Sequence, residues 1–434
     1  MKKIIAAIAL LGLSAGSFAQ NVNKRIKQTD VLCIIKTLSA DDMEGRATFT
    51  PGIEKAARFI EGEYKKIGLK PMVGDSGYRQ NFTMIKTAPV KEEVSINGVS
   101  ISRDNIAAVG GESFTWSTAA DAEVVKETPD KDLTKDFYGY LRSGKKLLVL
   151  VDPKFSDLFN KIQSRYKGGN VSFKDNVKPD KRTVVFVLGA YDDVKSFTVN
   201  YEVKSQELPL FNVAGIIPGK TKPDEYVVFG GHYDHLGILK PMDGDSIANG
   251  ADDDASGTTA VITLAKYYMK LNNNARTLIF VAFTAEEIGE FGSQYFAKKV
   301  EPDKVVAMFN IEMIGKPSKF GQNSAFITGY ERSDFGKILQ KNLTGTAFKF
   351  YPDPYPEQDL FYRSDNASLA RVGVPAHTIS TDQIDIDKLY HTVKDELSTL
   401  DVGNITSTIR AIALSSRTIV SGQDTPTRVA KLER

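Results

Sequence analysis

Beyond Phe211 the chain alternates short, continuously apolar runs with helical stripes, and the apolar runs end in histidine or carboxylate. Residues 226–230 (YVVFG), 278–283 (LIFVAF) and 305–311 (VVAMFNI) are too apolar throughout for strands with one wet face. Between the first two, 258–271 carries Ala260, Val261, Leu264, Ala265, Tyr268 and Leu271 on one stripe, and 291–299 is a further helical stretch. Buried runs separated by helices predict a sheet covered on both faces. The fold class is therefore α/β, with a mixed, largely parallel central sheet and helices on both faces.

The polar residues collect at one edge of that sheet. Run 226–230 leads into Gly231, His232, Tyr233 and Asp234; run 278–283 into Thr284, Ala285, Glu286 and Glu287; run 305–311 into Glu312. In open α/β sheets ligands bind outside the carboxyl ends of the strands, so three separate segments deliver these groups to one place. An acidic loop, 250–257 (GADDDASG), feeds a helix, and His391 follows the apolar stretch 374–379. Imidazoles and carboxylates without a thiolate suit zinc or a similar divalent ion that keeps an open position. Each piece alone has a plainer reading: Asp252 to Asp254 as a helix cap, Glu286 and Glu287 as a solvated turn, His391 as a surface histidine. Their order along one sheet edge favours a site.

Composition narrows the alternatives. With 434 residues, 41% hydrophobic and 25% charged, the chain is globular rather than disordered, collagenous or multiply membrane-spanning. Lys+Arg number 56 against 54 Asp+Glu, and loss of Lys2 and Lys3 with a leader balances them. Such a protein has no bulk electrostatic attraction to nucleic acid or an anionic membrane. The single cysteine, Cys33, excludes an intramolecular disulfide and any Cys-rich zinc or iron–sulfur site. All four histidines, His232, His235, His377 and His391, fall in the second half of the chain.

Residues 1–19 (MKKIIAAIALLGLSAGSFA) combine a basic start, an apolar run and small residues before Gln20, which predicts a signal peptide cut after Ala19 and a periplasmic or extracellular protein. The apolar run is far shorter than the about 20 residues a membrane span needs, so no stable membrane anchor is expected. Residues 20–88, including an amphipathic helix at 51–68, are expected to belong to the same domain as the α/β part of the chain. Residues 89–207 read as an inserted, mostly β module of short apolar runs between Lys/Asp/Gly-rich turns. Residues 208–434 hold the main part of the catalytic domain.

The segments GGHYDHLG, NGADDDASGTTAV, VAFTAEEIGEFGS, FNIEMIG and LYHTVKDE, in this order, resemble the zinc exopeptidase family of bacterial leucyl aminopeptidases, aminopeptidase Y, glutamate carboxypeptidases and glutaminyl cyclases. The resemblance covers most of 211–425, and the early LSADDMEGRATFTPGIEKAARFI is also similar to the family's N-terminal segment. It implies two Zn2+ per chain and a peptide substrate. His232 resembles a ligand of one metal, Asp252 the bridging carboxylate, Glu287 and His391 ligands of the second metal, and Glu312 the remaining ligand of the first. Glu286 resembles the general base, and Asp234 a partner of the His232 ring that lies behind the ligands. Adjacent glutamates point in different directions, so one binds metal while the other reaches the water.

Glu312 stands where the family commonly has aspartate, and Asn366 where it commonly has a histidine that is not a ligand. His235 is expected behind or beside the ligands, and His377 buried at a strand end. Asp243 to Asp245 and Asp382 to Asp387 have calcium-like acidic spacing without a full loop signature, and the aromatic, Pro-rich 351–362 is a candidate wall of the specificity pocket. The expectation is an exported aminopeptidase. Within the family the alternatives are a carboxypeptidase or dipeptidase and a glutaminyl cyclase; outside it, a non-catalytic binding protein on a peptidase fold. The oligomeric state stays open, and so does the insert's resemblance to a protease-associated domain.

Overall fold

The computed structural model describes residues 22–432 apart from 73, 119, 178 and 179, so the expected leader lies outside the described residues. The chain forms two units: one ends at Phe82 and resumes at Leu210, and the other is Thr83–Pro209. The second unit is a few residues longer at each end than the 89–207 insert expected from composition.

In the first unit, helix α1 (Pro51–Ile67) begins with proline in its first turn and ends at Gly68, whose φ of 86° suits the left-handed stop. Its stripe of Ile53, Ala56, Ala57, Ile60 and Tyr64 is buried. In this unit the sheet is built from the part of β1 (Phe197–Ile217) that follows residue 209, with β2 (Lys222–His232), β3 (Arg276–Phe283), β4 (Val305–Ile311), β5 (Ser324–Ile327), β6 (Lys349–Pro352) and β7 (Ala376–Ser380). Their order across the sheet is β6-β5-β7-β4-β2-β3-β1. Strands β3, β2, β4 and β7 run parallel, while β1 is antiparallel to β3 and β5 to β7. The sheet is mixed and largely parallel, as the apolar runs imply.

Alternation along the strands explains its two covers. Val227, Phe229, Leu278, Phe280 and Phe309 face one core, which α1, α2 (Gly257–Leu271) and α4 (Val402–Ser415) complete. Val228, Ile279, Val281, Phe283 and Met308 face the other, where α3 (Phe291–Lys299) contributes Phe296. Phe229 pairs in register with Phe280 and Phe309 and stacks on both, at centroid distances of 5.4 and 4.9 Å. Losing that central ring is expected to cost about 3–5 kcal/mol.

Strand β2 lies between β3 and β4, so the chain leaves it to one side and returns on the other. Its carboxyl end is thus a topological switch point, where a crevice opens in parallel sheets. Pairing of His232 with Phe283, and of Gly230 with Asn310, brings the three strand ends level.

The Thr83–Pro209 unit carries a four-stranded sheet ordered Ile106–Val109, Thr183–Leu188, Lys146–Val151, Glu123–Glu127. Its last three strands are parallel, and parallel neighbours require crossovers. Helices Leu133–Arg142 and Ser156–Lys167 supply them. Strand residues still predominate, but the reading as runs and turns passed over both helices. Asp132 caps the first by accepting from Thr134 N at 3.0 Å, and Leu133, Phe137 and Leu141 bury its inner face. Among the described residues of the whole chain, no helix is long and apolar enough to cross a membrane.

Candidate metal centre

The carboxyl end of β2 delivers His232 into a fully buried position. Its Nδ1–H donates to the Asp234 carbonyl at 3.1 Å, which turns Nε2 away from the strand. Nε2 has no hydrogen-bond partner, yet it lies 3.1 Å from Asp253 Oδ1. The other oxygen of Asp253 is 3.2 Å from His391 Nε2, and that same nitrogen is 3.2 Å from Glu287 Oε2. Asp253 therefore stands between His232 on one side and the His391–Glu287 pair on the other.

This arrangement reassigns the acidic loop. The structure does not bring Asp252, expected as the bridging carboxylate, to the imidazoles. Its Oδ1 accepts from Gly315 N at 2.7 Å, and its Oδ2 faces Lys316 Nζ at 3.4 Å. Successive residues of a loop point in different directions, and here the middle aspartate of the triplet is the one aimed at the strand ends. The peptide between Asp253 and Asp254 is cis. Asp254 in turn fastens the loop: its carboxylate accepts from His232 N at 3.2 Å, Gly257 N at 2.9 Å and Met313 N at 3.2 Å. Asp395 accepts from Asp252 N and Asp253 N at 3.0 Å each. Gly257 is obligatory at the start of α2, because a Cβ there would lie 2.0 Å from the Ile311 carbonyl oxygen.

Glu286 and Glu287 follow β3 in a turn whose Ala285 has φ 58°. Their backbone N–H groups donate to the two oxygens of Asp234 at 3.2 and 3.3 Å. Asp234 was expected to hold the His232 ring; its carboxylate is 3.8 Å from Nδ1 and instead anchors this turn. His235, placed beside the ligands by sequence, donates from Nδ1 to Glu287 Oε1 at 2.6 Å, leaving Oε2 facing His391. Glu312 follows β4 and is bonded by the Ser364 hydroxyl, with Asn310 Nδ2 at 3.4 Å. His391 also adopts φ 58°, and its ring lies stacked at 3.8 Å on Tyr390. Left-handed backbone at residues with side chains costs of order 1 kcal/mol or more, and it gathers at functional sites.

The charges explain one another. Burial raises Glu286 well above the ordinary carboxyl range, with Glu312, Asp365 and Glu287 adding to it and His232 opposing. Burial likewise raises Glu312 to about 7. Burial alone would lower both imidazoles, but Glu286, Asp253 and Asp254 hold His232 well above its ordinary value, and Asp253 and Glu287 hold His391 at about 10. So many buried carboxylates demand positive charge. A buried His232 Nε2 without a hydrogen-bond partner, and an Asp253 carboxylate facing His232 on one side and the His391–Glu287 pair on the other, are donors of the kind that hold zinc, and His235, Asp253 and Glu287 offer atoms within 4.8 Å of one another.

Some participants were not singled out from sequence. Arg46, fully buried, donates from Nε to the Tyr233 carbonyl at 2.9 Å, from Nη1 to Leu38 at 2.7 Å and to Asn249 at 2.5 Å, and from Nη2 to Gly250 at 2.9 Å. It ties the His232 and Asp253 loops to the N-terminal segment; its presence in the EGR of the matched N-terminal motif was the available signal. Beside Glu312 opens a pocket whose lining mixes Met313, Phe326, Leu360 and Ile384 with Arg363 and Asp382, and Leu360 comes from the aromatic segment expected as its wall. His377 is buried in β7, as expected, between Ser333 and Thr328, each at 2.8 Å.

Carboxylates and imidazoles thus converge at the switch point of an α/β sheet, and these are donor types that bind divalent ions. Residues 212–415 match the model of Peptidase family M28. Leucine aminopeptidase 1 of Ajellomyces capsulatus (strain H88) is 31% identical over 206 residues, covering 44% of this chain and 51% of that protein. A probable zinc metalloprotease of Pyrenophora teres f. teres (strain 0-1) is 37% identical over 105 residues, 24% of this chain and 22% of the other. The chain thus spans about half the length, or less, of these curated relatives. Among solved structures, a zinc aminopeptidase from Bacillus subtilis superposes with a TM-score of 0.59 at 15% identity, covering 92% of this chain and 97% of the other. The aminopeptidase from Aneurinibacillus sp. strain AM-1 gives 0.58 at 19% identity, covering 96% and 97%. At these identities the likeness is one of fold.

Proposed function

We propose that the chain is an exported metallo-aminopeptidase that removes N-terminal residues from peptides with the help of two zinc ions. The observation that carries this reading is the Asp253 carboxylate placed between His232 and the His391–Glu287 pair. Relatives named leucine aminopeptidase and zinc metalloprotease support the chemistry, and the leader-like residues 1–19 support export.

Zinc, when bound, acidifies a water and polarises the scissile carbonyl. The chain's own residues supply the rest. Glu286 is the general base: buried, and held through its backbone by Asp234, it takes the water's proton and passes it to the departing amine. Asp234 sets the turn so that Glu287 faces His391 while Glu286 stays free of that pair. Tyr390, its phenol raised by burial and by the charges of Asp253, Glu312 and Glu287, stays protonated and can donate toward oxygen charge developing beside His391. The pocket of Met313, Phe326, Leu360 and Ile384 takes an apolar first side chain.

Metal analysis and hydrolysis of leucyl-4-nitroanilide test the reading. Zinc-loaded protein is expected to cleave the free-amine substrate and spare its N-acetyl form. Glu286→Gln is expected to lower kcat by at least about 100-fold with zinc still bound. Zinc binding without cleavage of any free-amine substrate would contradict it.

A further inference from the structure

The carboxylate turned away from the metal centre belongs to a second acidic group. Oxygens of Asp252, Asp382 and Asp387 lie within 4.8 Å of one another. They come from three places: the loop before α2, the residues just after β7, and the segment leading to His391. Asp252 and Asp382 are 0% and 3% exposed. Neither oxygen of Asp382 has a hydrogen-bond partner, and neither has Oδ2 of Asp252. Lys316 is the one basic side chain the group is paired with among the described residues, with Nζ 2.5 Å from Asp387 Oδ2 and 3.4 Å from Asp252 Oδ2. It does not pair with Asp382. Asp395, next in the cluster, has its oxygens occupied by the backbone of Asp252 and Asp253.

We propose that Asp252, Asp382 and Asp387 form a calcium site, separate from the catalytic metal centre and built on the unpartnered carboxylate of Asp382. The donor chemistry selects the ion. Every offered atom is a carboxylate oxygen, which suits a hard cation, and loop-borne carboxylates suit the loose coordination of calcium better than the strict octahedron of magnesium. Three carboxyl groups share one ammonium in a buried place, and a divalent ion would offset the charge they carry when ionised. Lys316 covers the Asp387 side, and the ion takes the Asp382 side. Because Asp252 precedes Asp253 and Asp387 lies shortly before His391, the ion would brace both loops that carry catalytic ligands. The calcium-like spacing of Asp382 to Asp387 lacks a complete binding loop in sequence because its third carboxylate comes from Asp252, far away along the chain.

Calcium chloride titrated into zinc-loaded, full-length protein tests the site, read by calcium content after gel filtration and by the unfolding temperature. One calcium per chain and a raised unfolding temperature are expected, both lost in Asp382→Asn. That variant should still fold, because the amide can donate to Asp387. Lys316→Met, which removes a competing charge, should bind calcium at least about tenfold more tightly. His391→Ala should keep the calcium response while losing zinc, which separates this site from the catalytic one. Absence of calcium from the wild-type protein at millimolar free ion, or equal binding by Asp382→Asn, would overturn the proposal.

Discussion

Which of three consecutive aspartates faces the imidazoles, and so would hold metal on the proposed reading, is a question of a few torsion angles. Asp252, Asp253 and Asp254 are alike in composition and burial, yet each serves a different partner: Lys316 and Gly315, the two imidazoles, and the backbone of β2, α2 and Met313. Asp253→Asn is therefore expected to weaken zinc by at least about 100-fold, whereas Asp252→Asn should change it by less than about tenfold, as measured by competition with a chelating dye. His377 offers a residue-scale test away from the centre. Burial lowers its pKa from 6.5 to about 4, so the unfolded chain binds the proton more readily. Stability from neutral His377 is complete above 6.5 and falls as pH drops toward 4, by up to roughly 3 kcal/mol. Chemical denaturation of wild type and His377→Gln across that range should show the slope shrinking in the variant.

At the scale of elements, much was legible because the physics is local. Runs 226–230, 278–283 and 305–311 are apolar at every position, and a strand buried on both faces has no other way to read. Their polar successors then mark the working edge, and His232, Glu286, Glu287 and Glu312 could be placed there before any coordinates. The orientation of Asp253 rather than Asp252 toward the imidazoles could not, since it depends on how Asp254 ties the loop to His232, 22 residues back, and how Asp395, about 140 residues on, holds its backbone. The helices of the inserted unit escaped for a different reason: their buried stripes are short, with only Phe159 and Ile162 buried in Ser156–Lys167. Arg46 shows how a loop can depend on a distant element. Arg46→Met would strand four buried carbonyl acceptors, costing about 3 kcal/mol or more. Zinc affinity measured on the folded fraction should fall with it, because the Tyr233 and Gly250 carbonyls flank the His232 and Asp253 loops.

For the whole molecule, each unit buries its own apolar clusters, and the proposed metal ligands all belong to one of them. Chelation is expected to speed amide exchange at 230–235, 250–257, 284–290 and 388–395, with strands Lys146–Val151 and Thr183–Leu188 unaffected. On the proposed reading, a net charge of only +2 leaves the choice of peptide to the pocket beside Glu312 rather than to long-range steering. Metal at Asp253 is measured most directly by anomalous diffraction at the zinc edge from zinc-soaked crystals. Two peaks are predicted, flanking the Asp253 carboxylate, with His232 and Glu312 beside one and Glu287 and His391 beside the other. A single peak, or zinc bound through Asp252 with Asp253 left free, would contradict it.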